Sequence, residues 1–138
     1  MNMGSKEHSA KVHEIEQQEL VSQLALLETF FNHAPLGFAF VDRNYRFMQA
    51  NEVMAKIHSL SVTGLLGKNV AELVPQLWPV LEPVYARVLA GETILNHEVI
   101  GPAPSTGGQI RHWQASHYPI RLQGEILGIA VIVNDVTE

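Results

Sequence analysis

Residues 109–138 read QIRHWQASHYPIRLQGEILGIAVIVNDVTE, and the pattern of this stretch decides how the rest of the chain must be arranged. Two alternating runs, Ile110–Leu122 and Glu125–Asp135, flank the tight Gln123-Gly124 connection, which predicts an antiparallel β-hairpin. Gly128 falls inside the second run, where a residue without a Cβ marks close approach by a neighbouring backbone. Alternate side chains of each strand point to opposite faces, so one set must be covered by the remainder of the chain.

Working outward, residues 93–100 form a third expected strand, which runs into Gly101-Pro102-Ala103-Pro104-Ser105-Thr106-Gly107-Gly108, a loop by every local rule and expected to be mobile. Before it, residues 79–90 predict the longest core helix, carrying Val80, Leu81, Val84, Val88 and Leu89. Pro79 and Pro83 lie in its first turns and Gly91 is its stop. Gly64 and Gly67 punctuate short helical turns, and residues 70–74 make another before Pro75. Asn51 reads as the N-cap of a helix over 52–58 whose Val53, Met54 and Ile57 form an apolar face. The Asp42-Arg43-Asn44 turn joins strands expected at 37–42 and 45–49. From 11 to 31 there is no Gly or Pro, and Leu20, Leu24, Leu27 and Phe31 recur at helical spacing, which predicts an amphipathic helix with a short a/d seam. So short a seam is marginal as a coiled coil, and packing on the domain must contribute. Residues 1–10 are polar and read as a frayed terminus.

Composition narrows the class. With 138 residues, 46% hydrophobic and 17% charged, the chain is one globular domain able to bury a core without staples. The net charge of -5 comes with no long basic run, which argues against nucleic-acid binding. The absence of cysteine removes disulfides, thiolate metal sites and cysteinyl adducts. No signal peptide and no apolar run of spanning length are present, so membrane insertion is not expected and a cytoplasmic location is.

Several landmarks in order resemble a PAS domain over residues 29–138. They are the Asn32-His33-Ala34-Pro35-Leu36-Gly37 opening, Asn51 heading its helix, the Leu66-Gly67-Lys68-Asn69 step, Trp113 followed by Pro119, Gly128, and the Asp135-Val136-Thr137-Glu138 close. The resemblance implies an α+β fold with a five-stranded antiparallel sheet in the order 2-1-5-4-3. Short helices cover one face, and residues 1–28 form an N-terminal tail and capping or dimerising helix. By the same matching, His97, Val99, Trp113, Ala115, His117, Leu127, Ile129, Val131 and Val133 face a ligand cavity, with Met54 and Ile57 opposite. His112, Gln114 and Ser116 face out. Phe38 and Phe40 also lie outside, under the first helix, and join Leu20, Leu24, Leu27 and Phe31 as the dimer interface.

The inward His97, His117 and Trp113 need hydrogen-bond partners, because an unsatisfied buried polar group costs about 1 to 3 kcal/mol. A small, partly apolar ligand with one or two hydrogen-bonding or anionic groups supplies them; backbone carbonyls are the alternative. PAS haem ligation implies a histidine on the long helix, and residues 75–91 contain none. Haem through another histidine and non-covalent flavin beside Trp113 stay open as cofactors. Val70 stands where light-sensing flavin relatives have their reactive cysteine, so that photochemistry is excluded. His58 is expected to have a surface or packing role. No phosphate loop or nucleophile elbow occurs, and Ser116-His117 and Arg111-His112 are adjacent strand residues on opposite faces, so catalysis is not expected. The resemblance implies a sensory, dimerising module of a bacterial histidine kinase, diguanylate cyclase or similar receptor, with a signalling helix and effector beyond Glu138. The alternatives are a ligand-free pairing module and a small enzyme on a similar sheet.

Overall fold

The computed structural model describes residues 3–103 and 107–137. The centre of the glycine- and proline-rich loop and Glu138, on which the mobile loop and the hand-over to an effector were expected, lie outside those residues. The chain divides into two units, residues 1–34 and 35–138. The first is helix α1, Met3–His33, which begins well before residue 11, so most of the expected frayed terminus is helical. Leu20, Leu24 and Leu27 are exposed along it, and Val21, Leu26 and Phe30, which lie off the a/d seam, are exposed as well.

In the second unit, strands β1 (Gly37–Asp42) and β2 (Phe47–Ala50) are followed by helices α2 (Glu52–Ile57), α3 (Val62–Leu65), α4 (Val70–Leu73) and α5 (Trp78–Leu89). Strands β3 (Ile94–Pro102), β4 (Ile110–Leu122) and β5 (Glu125–Asp135) complete it. All strand pairs are antiparallel and the order is β2-β1-β5-β4-β3, as expected. The closing hairpin therefore supplies the centre of the sheet. Its last strand pairs with β1 along the whole of Gly37–Asp42.

Gly128 is where these two strands meet most closely. A Cβ there would run into the Val41 carbonyl oxygen, with the Asp42 Cα 3.1 Å away. The turn after β1 is closed by Asp42, whose Oδ1 accepts from the amides of Asn44 (2.8 Å) and Arg46 (3.0 Å). Tyr45 takes a positive φ of 65° there, so β2 starts two residues later than the sequence pattern suggests.

Asn51 ties the sheet to its helices. Its Oδ1 accepts from the amides of Phe38 in β1 and Met54 in α2, both at 3.0 Å, and its Nδ2 donates to the Leu36 carbonyl at 2.8 Å. It thus serves as the N-cap of α2 and as a strand partner at once. The core lies between the sheet and α2–α5, where Ala39, Val41, Met54, Leu65, Val88 and Ile129 are buried together. Phe38 and Phe40 alternate with Ala39 and Val41 and so occupy the other face; Phe38 is buried and Phe40 is 42% exposed.

Two substitutions test this arrangement. Asn51→Ala removes a cap and leaves a buried amide unpaired, an expected loss of about 2 to 4 kcal/mol in chemical denaturation. Gly128→Val forces β1 and β5 apart and should cost about 2 to 3 kcal/mol; an unchanged thermal midpoint would refute the close approach.

Candidate functional site

Between the sheet and helices α2, α4 and α5 lies a cavity of about 70 Å³. β4 contributes Trp113, Ala115 and His117, the inward residues of its alternation. Val131 and Val133 come from β5, Val99 from β3, and Met54 and Ile57 from α2. These positions were legible in the sequence. Three expected lining residues are not brought to the cavity, for different reasons.

Leu127 is 46% exposed, because a bulge skips it: Ile120 pairs with Gly128 and Arg121 with Ile126, which reverses the alternation at that point. Ile129 faces inward and is fully buried, but in the core beside the cavity rather than on its surface. His97 also faces inward, paired with Ala115, through a second bulge in which Asn96 adopts a φ of 51° and its amide is capped by Ser116 Oγ at 3.0 Å. It lies near His117 without lining the cavity.

Other lining residues were missed. Tyr85 sits one helical turn after Leu81 on the buried face of α5, a stripe the sequence does show. Its ring contacts Trp78 at 5.5 Å, Tyr45 at 5.8 Å and His117 at 5.1 Å between centroids. Burial pushes its hydroxyl pKa well above the ordinary tyrosine range. Leu77, ahead of α5, reaches the cavity over Gly101 of β3, where a Cβ would collide with the leucine side chain.

His58 is the larger omission. Rather than lying on the surface, it follows the last turn of α2, half-buried, with its ring edge-on to Phe47 at 5.5 Å, and lines the cavity. It was expected on the helix over 52–58 with a surface or packing role, because it lies away from the long helix on which PAS haem ligation implies a histidine. It does pack, as the other half of that expectation had it.

The Nδ1 atoms of His58, His97 and His117 are buried with no hydrogen-bond partner among the described residues. Loss of hydration lowers the His58 pKa to about 4. Burial, assisted by nearby His97, lowers that of His117 to about 4. Both rings are therefore neutral near pH 7. None of the lining residues is acidic, Lys or Arg, and no group of three or more metal-ligating side chains occurs among the described residues.

The cavity does not fit the two cofactors left open by the sequence. Haem and flavin are at least drug-sized, and sites for such ligands occupy roughly 300 Å³ or more, several times the space here. An Asp-x-Thr clamp closes the far end of the sheet: Thr137 Oγ1 accepts from the His112 amide at 2.8 Å, Asp135 Oδ1 accepts from the Thr137 amide at 2.9 Å, and the Val136 amide donates to the His112 carbonyl at 2.9 Å.

The geometry and the comparisons agree on the class. The family model described as "PAS fold" matches residues 31–138, and the chain belongs to that family. No curated protein sequence matches it. Among solved structures, it is similar to a PAS domain from Colwellia psychrerythraea, at 16% identity over 83% of this chain and 97% of that one, with a TM-score of 0.70. A sensory box sensor histidine kinase structure from Vibrio cholerae matches at 18% identity over 89% and 99%, with a TM-score of 0.61. The VqmA dimer of Vibrio cholerae, described with LuxR-type receptors and target DNA, matches at 19% identity over 82% of this chain and 51% of that one, with a TM-score of 0.69. The chain spans about half of VqmA, so the scarcity of basic residues does not exclude nucleic acid for a longer protein. No helix is long and apolar enough to cross a membrane among the described residues.

The neutral histidines set the acid limb of stability. A folded-state pKa below the unfolded 6.5 means that the unfolded chain binds more protons between about pH 6.5 and 4, so stability is full above that window and falls as pH drops through it. At pH 5 the loss through His117 is about 2 kcal/mol. Thermal melts from pH 7.5 to 4.5 should show a falling midpoint, with a shallower slope in His117→Phe. An identical slope in that variant would refute a buried neutral ring.

Proposed function

We propose that this chain is the sensory and dimerising module of a larger signalling protein, which detects a small molecule in the cavity and binds it without catalysis. The observation that carries the reading is a largely apolar cavity lined by His58 and His117, whose Nδ1 atoms are buried without a hydrogen-bond partner. Buried polar atoms need partners, and a ligand is the partner such a space admits. VqmA has been solved with DPO bound, which supports ligand sensing on this fold without identifying the ligand here.

Dimerisation is the second half of the proposal. Leu20, Leu24 and Leu27 are exposed on α1, the last of them 65%, and a second copy of the helix supplies the cover such residues need. Receptors with histidine kinase or LuxR-type outputs both suit a module of this kind, and a cytoplasmic location suits both. The exposed helix also favours a second reading, a pairing module that takes no ligand.

Native mass spectrometry of the purified chain, followed by thermal shift against a metabolite library, separates the two. The sensor reading expects a co-purifying or stabilising small molecule, whereas a dimer indifferent to every compound supports the pairing module. Light scattering at tens of micromolar should give twice the chain mass, and a well-behaved monomer would end the dimer proposal.

A further inference from the structure

The sensor reading leaves open what kind of molecule the cavity takes, and three features of its walls narrow the class. His58 enters from the end of α2 and His117 from the middle of β4, so the two imidazoles approach from the helical side and the sheet side. Both residues line the cavity, and the Nδ1 of each is buried with no partner. A neutral imidazole has one donor and one acceptor nitrogen, so each ring can take either kind of contact from a ligand. Between them the walls are mostly apolar, with Met54, Leu81, Val99 and Val131 beside the rings of Tyr85 and Trp113.

Charge supplies the second constraint. No lining residue is Lys, Arg, Asp or Glu, so a carboxylate or ammonium entering the cavity gives up its hydration and meets no opposite charge. The low pKa of both rings works in the same direction, since neither is cationic at neutral pH. This removes the anionic groups that the sequence alone left open.

Size is the third. An apolar cavity of about 150 Å³ holds a benzene ring. The space here is about 70 Å³, which leaves room for a smaller occupant.

We propose that the cavity takes an uncharged molecule of roughly five heavy atoms or fewer, with a hydrogen-bonding group at each end, which joins the His58 ring on the helical side to the His117 ring on the sheet. The inference rests on the sensor reading and narrows it to a neutral, two-ended ligand.

Ligand-observed NMR on the intact chain at neutral pH tests it with matched probes. Glycolamide and propane-1,2-diol are neutral and two-ended; glycolate and lactate are their anionic counterparts; propan-2-ol has one polar end. The neutral two-ended probes should bind, with the anions and propan-2-ol weaker by at least about tenfold. His58→Phe and His117→Phe should each weaken binding by about tenfold or more, and His58→Gln and His117→Gln should restore part of it. The comparison of neutral and anionic probes on the unaltered chain holds even if a Phe variant fails to fold.

Anions binding as well as their neutral counterparts would overturn the inference, as would binding that ignores both histidines or an absence of binding by every probe. The native mass spectrum keeps the two levels apart. A larger or charged molecule retained by the purified chain sinks this ligand class while sustaining the sensor reading, whereas no retained or stabilising molecule sinks both.

Discussion

The fold depends on one carboxamide. Asn51 lies at the junction of β2 and α2, and it is nearly inaccessible to solvent. Its oxygen bridges a strand amide and a helix amide, while its nitrogen reaches the carbonyl just before β1. An aspartate there would lose the donor and bury a charge; a serine would not reach both sides. The bridge holds the start of α2 against β1, and His58 follows at the other end of that short helix, on the cavity lining. The chemistry of the site is in this sense downstream of a cap.

Much of the architecture could be read from the chain because its strong signals are periodic or are punctuation. The 110–135 hairpin, the Asn51 cap and the close approach at Gly128 each follow from a local rule, and the family landmarks place them in order. The site was legible where alternation runs uninterrupted, as at Trp113, Ala115 and His117. It failed at Leu127, where a bulge inserts one unpaired residue, because Gly128 was read only as a close approach of backbones, although an interior strand glycine marks bulges as well. His58 was lost for a related reason. It continues the Met54–Ile57 face at the C-cap of α2, but a polar residue at the end of an apolar stripe reads as surface, and packing against Phe47 is what turns it inward.

The histidines of the interior also differ from what their residue type suggests. Imidazole is usually considered for charge or metal binding near neutral pH. Here burial removes the charge, and the ring of His117 lies among aromatic groups as the end of a chain of contacts from Tyr45 and Trp78 through Tyr85. What remains is a polar edge on an aromatic body, able to discriminate by hydrogen bonding and to pack like a phenyl ring. The sheet supplies this group at its fourth strand, and the long helix supplies the rings that hold it.

The clamp at the end of the sheet has a mechanical meaning. Thr137 and Val136 hold both backbone polar groups of His112, and the next residue along β4, Trp113, is part of the cavity wall. A single peptide unit therefore separates the wall from the point where the polypeptide leaves the sheet. The contacts that hold the end of β5 and the wall residue Trp113 thus adjoin on one strand, linked through the backbone of His112 and the side chain of Thr137.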